Sequence, residues 1–302
     1  MSSIARVLVL MATYNGQEHL AEQLDSILSQ EGVEVFVRVS DDCSADNTFR
    51  ILETYASEHD NIEIIYNNTH QGKTRTIMQL VYDAPVEEYD YFALANQDDI
   101  WLPGKLAAGT DHISANTSRP ELYYAGSVCI DARGRAVGDE FDGYEVCASH
   151  PGSLLLVRNW ALGCTMLMNG ALVKLLRRCP VFDFARSYDT WIHAVALYCD
   201  GYVFCDLPHC YVDRRLAPGQ SALPACDDLD SELANQATTM ARVLLREYER
   251  AMNPDAAKLV EAVAVRHVSA KARRFLAGRT DIMLPTNPRT SKLRWNILRS
   301  KF

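Results

Sequence analysis

The sequence predicts an α/β fold: a mostly parallel sheet flanked by helices, with a helical C-terminal appendix. Three observations carry this. The first hundred residues alternate short apolar or β-branched runs with stretches of helical periodicity. Several of those runs end in polar or acidic residues. Residues 228–276 then lose the strand pattern and read as two long helices separated near Asn253-Pro254. The boundaries drawn on this basis are 1–220 for the α/β domain and 221–302 for a helical, basic C-terminal region.

In chain order, Val7-Leu8-Val9-Leu10-Met11 is a continuous apolar run, as expected of a strand buried on both faces. Residues 16–30 follow with Leu20, Leu24, Ile27 and Leu28 at helical spacing. The alternating, β-branched stretch 33–39 is a second strand that runs into Ser40-Asp41-Asp42. Ser44 or Asp46 is placed to cap a helix over 49–59. Ile62-Glu63-Ile64-Ile65-Tyr66 is a third strand, residues 74–84 a helix, and Tyr91-Phe92-Ala93-Leu94-Ala95 a fourth strand ending in Asn96-Gln97-Asp98-Asp99. In a parallel sheet with helices on both faces, ligands bind beyond the carboxyl ends of the strands. Those ends here carry Thr13-Tyr14-Asn15, Asp41-Asp42 and Asp98-Asp99. Further on, 122–126 and 201–205 read as strands, and 171–179 and 191–199 as helices.

Hydrophobic residues make up 48% and charged residues 23%, which is ordinary for a globular chain, and the formal charge is −9. That balance argues against nucleic acid as a partner, since nothing overall attracts a phosphate backbone. Residues 1–3 lead straight into the first strand and no apolar run reaches the roughly 20 residues that span a bilayer, so a cytoplasmic location is expected. The nine scattered cysteines include no Cys-x-x-Cys pair, and reduced, mostly buried thiols are expected.

Adjacent carboxylates repel unless a cation or hydrogen bonds offset the repulsion. Asp98-Asp99 after a buried strand therefore suits a divalent cation, Mn2+ or Mg2+, bridging to diphosphate oxygens. The competing reading is a helix cap. Asp41-Asp42 divides between accepting a hydrogen bond from a pyrimidine base and capping the next helix. Asp189, at the mouth of a helix, is either an N-cap or a general base that takes a proton from an acceptor hydroxyl. His193, four residues on, would pair with it at the surface. Trp101, Trp160 and Trp191 read as core. The C-terminal region is basic, with Arg266, Lys271, Arg273, Arg274, Arg279, Arg289, Lys292, Arg294, Arg299 and Lys301, and apolar Trp295, Ile297, Leu298 and Phe302 near its end. It would rest on an anionic membrane surface, pack on another subunit in a homo-oligomer, or remain a solvated tail.

Four blocks in order resemble family 2 glycosyltransferases, whose Rossmann-like architecture is called GT-A: 7–16 with 23–30, 39–48, Asn96-Gln97-Asp98-Asp99-Ile100-Trp101, and Tyr188-Asp189-Thr190-Trp191. The third has the form common among rhamnosyltransferase-like members. The resemblance covers roughly residues 5–220. It implies an inverting transferase that moves a sugar from a UDP- or dTDP-sugar, with dTDP-rhamnose favoured, to a hydroxyl of a glycan or lipid-linked acceptor. By position it assigns Thr13, Tyr14 and Asp41 to the base and ribose, Asn15 and Asp42 to the donor site, Asp99 with Asp98 to the metal, and Asp189 to the general base. Asp98 is also placed to contact the donor sugar. Residues 163–166 match the acceptor side. Two departures stand out. The family's Tyr-Arg-x-His segment corresponds to Tyr211-Val212-Asp213-Arg214-Arg215-Leu216, which lacks the histidine and leaves Arg214 or Arg215 to bind diphosphate. The stretch 70–75 fits the family only loosely and offers Lys73 or Arg75 as phosphate contacts. The rival readings are a sugar nucleotidyltransferase, disfavoured by a single glycine and no cation in residues 10–20, and a binding subunit that has lost catalysis.

Overall fold

A computed structural model describes residues 4–131, 133–139, 159, 161–179, 187–215 and 231–278. The first half is the expected alternation: β1 (Ala5–Thr13), α1 (Leu20–Leu28), β2 (Val33–Asp41), α2 (Thr48–Glu58), β3 (Ile62–Tyr66), α3 (Lys73–Asp83) and β4 (Tyr91–Ala95). These strands pair in parallel in the order β3-β2-β1-β4. β1 shows why its run is apolar throughout. Val7, Val9 and Met11 enter the core against α1 and α2, while Leu8 and Leu10 enter the core against α3 on the opposite face.

The second half departs from a mostly parallel sheet. It contains β5 (Ile100–Trp101), α4 (Lys105–His112), β6 (Glu121–Ile130), β7 (Ala136–Asp139), β8 (Met166–Asn169), α5 (Gly170–Leu176), α6 (Tyr188–Tyr198) and β9 (Tyr202–Arg215). The sheet continues as β4-β8-β6-β9-β5, with β7 on β6. β8 runs antiparallel to both neighbours, β5 is antiparallel to β9, and only β6 and β9 are parallel. An apolar run reports burial but not direction, so the mixed character was not readable from periodicity. The consequence for function is the β5–β9 pairing. Ile100 lies opposite Asp213, which brings Arg214 and Arg215 beside the Asp98-Asp99 turn.

Residues 231–278 form three described helices, α7 (Ser231–Tyr248), α8 (Pro254–Val265) and α9 (Ala270–Gly278), not two. The break expected near Asn253-Pro254 is present: Asn253 caps α8, its side chain accepting from the amide of Ala256, with Pro254 in the first turn. The extra break lies at 266–269, where Ser269 Oγ accepts from the Ala272 amide and starts α9. Met240, Leu244, Tyr248, Val260 and Leu276 join the same core as Leu8, Phe92 and Trp191. Tyr248 sets its ring edge-on to Trp191 at 5.8 Å and donates to the Leu176 carbonyl.

Several expectations are corrected here. Arg266, grouped with a basic surface, is 1% exposed and donates to the Val263 carbonyl; burial pushes its pKa down to about 10. Arg273 bonds the carbonyls of Arg266 and His267. His193 does not pair with Asp189 at the surface. It is buried, its Nδ1 meets Asn159 Oδ1 at 2.9 Å, and burial pushes its pKa down to about 3. Trp101 and Trp191 are core, while Trp160 and basic residues 279–302 lie outside the described residues. The seven described cysteines form no disulfide. Among the described residues no helix is long and apolar enough to cross a membrane.

Candidate active site

The carboxyl ends of β1, β2 and β4 form one edge, and the polar loops there are tied together by side-chain bonds. Thr13 Oγ1 donates to Asp41 Oδ1 at 2.8 Å, and Ser44 adds its hydroxyl and its amide to the same carboxylate. Asp41 is 4% exposed and so is fixed at the floor of the edge. Four successive amides of the β1–α1 loop donate to side chains: Tyr14 to Gln97, Asn15 to Ser44, Gly16 to Thr48 and Gln17 to Asp46. Asn15 holds this turn with φ 49°, in the left-handed region, and its own Oδ1 accepts from Ala45. The Tyr14 ring stays 46% exposed and packs on His70 with centroids 4.3 Å apart, an aromatic platform at the mouth of the edge.

Asp42 does different work. Its carboxylate accepts from Asn67 Nδ2 and from the amides of Gln71 and Gly72, and faces His70 Nδ1 at 2.9 Å. Burial alone would raise its pKa, but these donors hold it below the ordinary carboxylate value. Asp42 is thus an anchor for the loop that leads into α3, and it places Lys73 at that helix's start. Lys73 Nζ reaches Asn96 Oδ1 at 2.6 Å, and Asn96 Nδ2 reaches Asp99 Oδ2 at 2.7 Å. Arg75 is exposed on the same helix.

Asp99 is the electrostatic centre. It is 1% exposed, and its Oδ1 has no hydrogen-bond partner among the described residues. Burial, with Asp98 next to it, raises its pKa to about 6; Lys73, Asn96 and the neighbouring Cys164 thiol pull the other way. A buried, half-satisfied carboxylate of this kind costs energy unless a cation completes it. Half-buried Asp98 lies next in the chain. Among the described residues no third His, Cys, Asp or Glu joins them in a metal-sized cluster. A hard divalent ion held by one or two carboxylates, its other positions going to water and diphosphate oxygens, fits that donor set.

The far wall comes from the 163–165 turn and the start of α6. The Tyr188 ring sits where a Gly163 side chain would be, and it is influenced by Asp189, Cys164, Asp99 and Asp98 together. Lys73 Nζ lies 6.0 Å from that ring. Asp189 uses Oδ1 to accept from the Thr190 amide at 2.6 Å and from the Ser187 hydroxyl. Among the described residues no donor reaches Oδ2. Asp189 is therefore not the N-cap, a position taken by Ser187, but a first-turn carboxylate with one oxygen to spare.

On the β9 side, Arg215 pairs with Glu22 of α1, and Arg214 donates to Cys129 Sγ at 3.3 Å while acting electrostatically on Cys164. Arg214 so lies within the field of the site, whereas the Arg215 guanidinium is engaged by α1. Sequence reasoning missed Lys105. It is 3% exposed, its Nζ is 3.7 Å from the Trp101 ring centroid, and burial pushes its pKa down to about 7 while Cys164 and Asp99 pull it back up. A lysine opening a helix after Pro103-Gly104 carries no signal of burial. It also missed Asn96 and Gln97 as individuals, since amides gain meaning only from what they bridge.

Residues 8–119 match the sequence profile of glycosyl transferase family 2. Over 110 residues, 36% of this chain, the sequence is 36% identical to the dTDP-rhamnosyl transferase RfbG of Shigella flexneri. The match spans 38% of that relative's length. The fold resembles that of S. aureus TarS, crystallised as its 1–349 fragment with UDP-GlcNAc, with a TM-score of 0.61 at 17% identity over 98% of this chain and 88% of that one. It also resembles the mannosyltransferase PcManGT from Pyrobaculum calidifontis in complex with GDP-Man and Mn2+, with a TM-score of 0.52 at 17% identity over 100% of this chain and 82% of the other. At such identities the likeness establishes the fold, which is GT-A.

Proposed function

We propose, from the match of residues 8–119 to glycosyl transferase family 2, that this chain is a metal-dependent, inverting transferase. It moves a sugar from a nucleoside-diphosphate donor to a hydroxyl of a glycan or lipid-linked acceptor. The observation that carries this reading is Asp99: a buried carboxylate with one oxygen unused, set between the Thr13-Tyr14-Asp41 edge and Asp189.

In this reading the base and ribose lie on Tyr14, between Thr13, Asn15 and Asp41. Asp42 holds the loop that brings Lys73 to the diphosphate, and Arg214 adds positive charge from β9. Asp99, with Asp98, would hold Mn2+ or Mg2+, which when bound neutralises charge on the departing diphosphate. Asp189 Oδ2 takes the proton of the acceptor hydroxyl as its oxygen bonds to the anomeric carbon. The carbon–oxygen bond to the diphosphate breaks on the opposite side, and the configuration inverts. RfbG supports dTDP-rhamnose as the donor. The reaction is placed in the cytoplasm at the inner membrane face, where a lipid-linked acceptor would be presented.

Thermal unfolding with UDP, dTDP and GDP, each with and without Mn2+, followed by transfer assays with the matching sugars, tests this. A nucleotide at 100 times its Kd adds about 2.7 kcal/mol to the folded state. Metal-dependent stabilisation by one nucleotide, with turnover of its sugar, is expected. Stabilisation without turnover would favour a non-catalytic binding subunit.

A further inference from the structure

We infer that Gln97 is a positioning residue that locks the nucleoside loop to the metal loop, so that metal and nucleotide bind cooperatively. The inference rests on the donor-site reading above and adds to it a coupling device.

The paired ladder between β1 and β4 ends at Met11 and Ala95. Beyond it the two chains part, one toward Tyr14 and the other toward Asp98-Asp99. Gln97 spans the gap with its side chain. Its Oε1 accepts from the Tyr14 amide at 2.8 Å and its Nε2 donates to the Tyr14 carbonyl at 3.1 Å. This is the two-way exchange a neighbouring strand would make, supplied by an amide side chain. The other loop amides, those of Asn15, Gly16 and Gln17, go to Ser44, Thr48 and Asp46, on the β2 side. Among the described residues the Gln97 amide is thus the side-chain tie from the Tyr14 turn to the metal loop.

Gly16 completes the fit. A β-carbon there would stand 2.5 Å from Gln97 Oε1, so the amide occupies the space glycine leaves. On either side of Gln97 the chain is committed to the site. Asn96 bridges Lys73 and Asp99, and Asp98 follows. A shift of Gln97 therefore moves the diphosphate and metal groups relative to the Tyr14 platform. Glutamine suits the position because one planar group must donate and accept at once. A carboxylate would face the Tyr14 carbonyl with a second acceptor.

A nucleoside diphosphate whose base lies on Tyr14 would reach the Asp98-Asp99 loop through its diphosphate, and a cation held by Asp99 with Asp98 would supply the attraction that engages that loop. The nucleotide alone relies mainly on the Tyr14 side. The measured quantity is the ratio of nucleotide Kd without Mn2+ to that with Mn2+, by titration calorimetry on the full chain. It is compared for wild type, Gln97→Leu and Gly16→Ala, using whichever of UDP, dTDP or GDP the wild type binds. Loss of these two exposed hydrogen bonds is expected to cut this ratio roughly tenfold in Gln97→Leu, with the metal-free Kd changing less than about threefold. Gly16→Ala keeps the amide but displaces it, and should lower the ratio in the same sense. Equal weakening with and without metal in both variants would reduce Gln97 to support of one loop and overturn the inference. So would an unchanged ratio. Wild-type protein that binds none of the three nucleotides would instead overturn the donor-site reading, and the inference with it.

Discussion

Replacing Asp99 by Asn keeps the shape of the side chain and removes its charge. The carboxyl is raised from its ordinary 3.8 to about 6, first by burial and then by Asp98. That rise corresponds to roughly 3 kcal/mol against the ionised form in the folded protein. The sign follows from proton binding. Between about pH 4 and pH 6 the folded state holds a proton that the unfolded state has released, so stability falls as pH rises through that window. Below it the penalty is absent, and above it the penalty is complete. Metal-free Asp99→Asn should therefore unfold above wild type at pH 7.5, by at most roughly 6 °C at about 2 °C per kcal/mol for a chain this long. The new amide inherits a buried position without a partner, which takes back part of the gain. At pH 4 the two proteins should converge. Adding Mn2+ to the nucleotide should further stabilise wild type and add nothing in the variant, because the ion's buried ligand is gone. Differential scanning fluorimetry at both pH values, with and without Mn2+, reads all of this. A variant less stable than wild type at pH 7.5 without metal, or one that responds equally to Mn2+, would refute the assignment of Asp99 as a strained carboxylate awaiting a cation.

Other substitutions separate chemistry from architecture. Asp189→Asn retains an oxygen for the Thr190 amide and the Ser187 hydroxyl, so the melting temperature and nucleotide Kd should stay put while the transfer rate falls about 10²–10⁴-fold; an undiminished rate would remove Asp189 from the mechanism. Gly163→Ala drives a methyl into the Tyr188 ring, and should cost about 1–3 kcal/mol in urea unfolding while lowering turnover, since Tyr188 adjoins Asp189. His193 has its pKa pushed from 6.5 to about 3 by burial, so it contributes stability present above pH 6.5 and lost as pH falls toward 3. His193→Leu should accordingly flatten the fall in unfolding free energy below pH 6 by about 1.4 kcal/mol per pH unit. Urea midpoints at pH 7 and pH 5 that fall in parallel for both proteins would show that His193 is not the acid-sensitive group.

How much of this was legible in the sequence depends on the range of the interaction concerned. Strands β1 to β4 and helices α1 to α3 were readable because periodicity and apolar runs report burial locally. The acidic pairs stood out for the same reason, as they end strands that must be buried. What Asp41 and Asp42 do could not be separated, since both end the same strand. Their roles part only through Thr13 and Ser44 on one carboxylate and residues 67–72 on the other, partners up to 30 positions away. Arg214 and Arg215 looked equivalent until Glu22 engaged one of them.

The sequence by itself determined the class of fold, the sheet edge at which polar and acidic side chains gather and the residue types that gather there. Those properties follow from hydrophobic patterning and from the rule that ligands sit beyond the carboxyl ends of strands. Only the tertiary structure decided the antiparallel insertion of β8, the burial of Lys105, His193 and Arg266, and the bridging by Asn96 and Gln97. Burial of a charge and the partner of an amide are set by groups distant in the chain. Local sequence fixes which hydrogen bonds a residue is able to make, and packing fixes which ones it does.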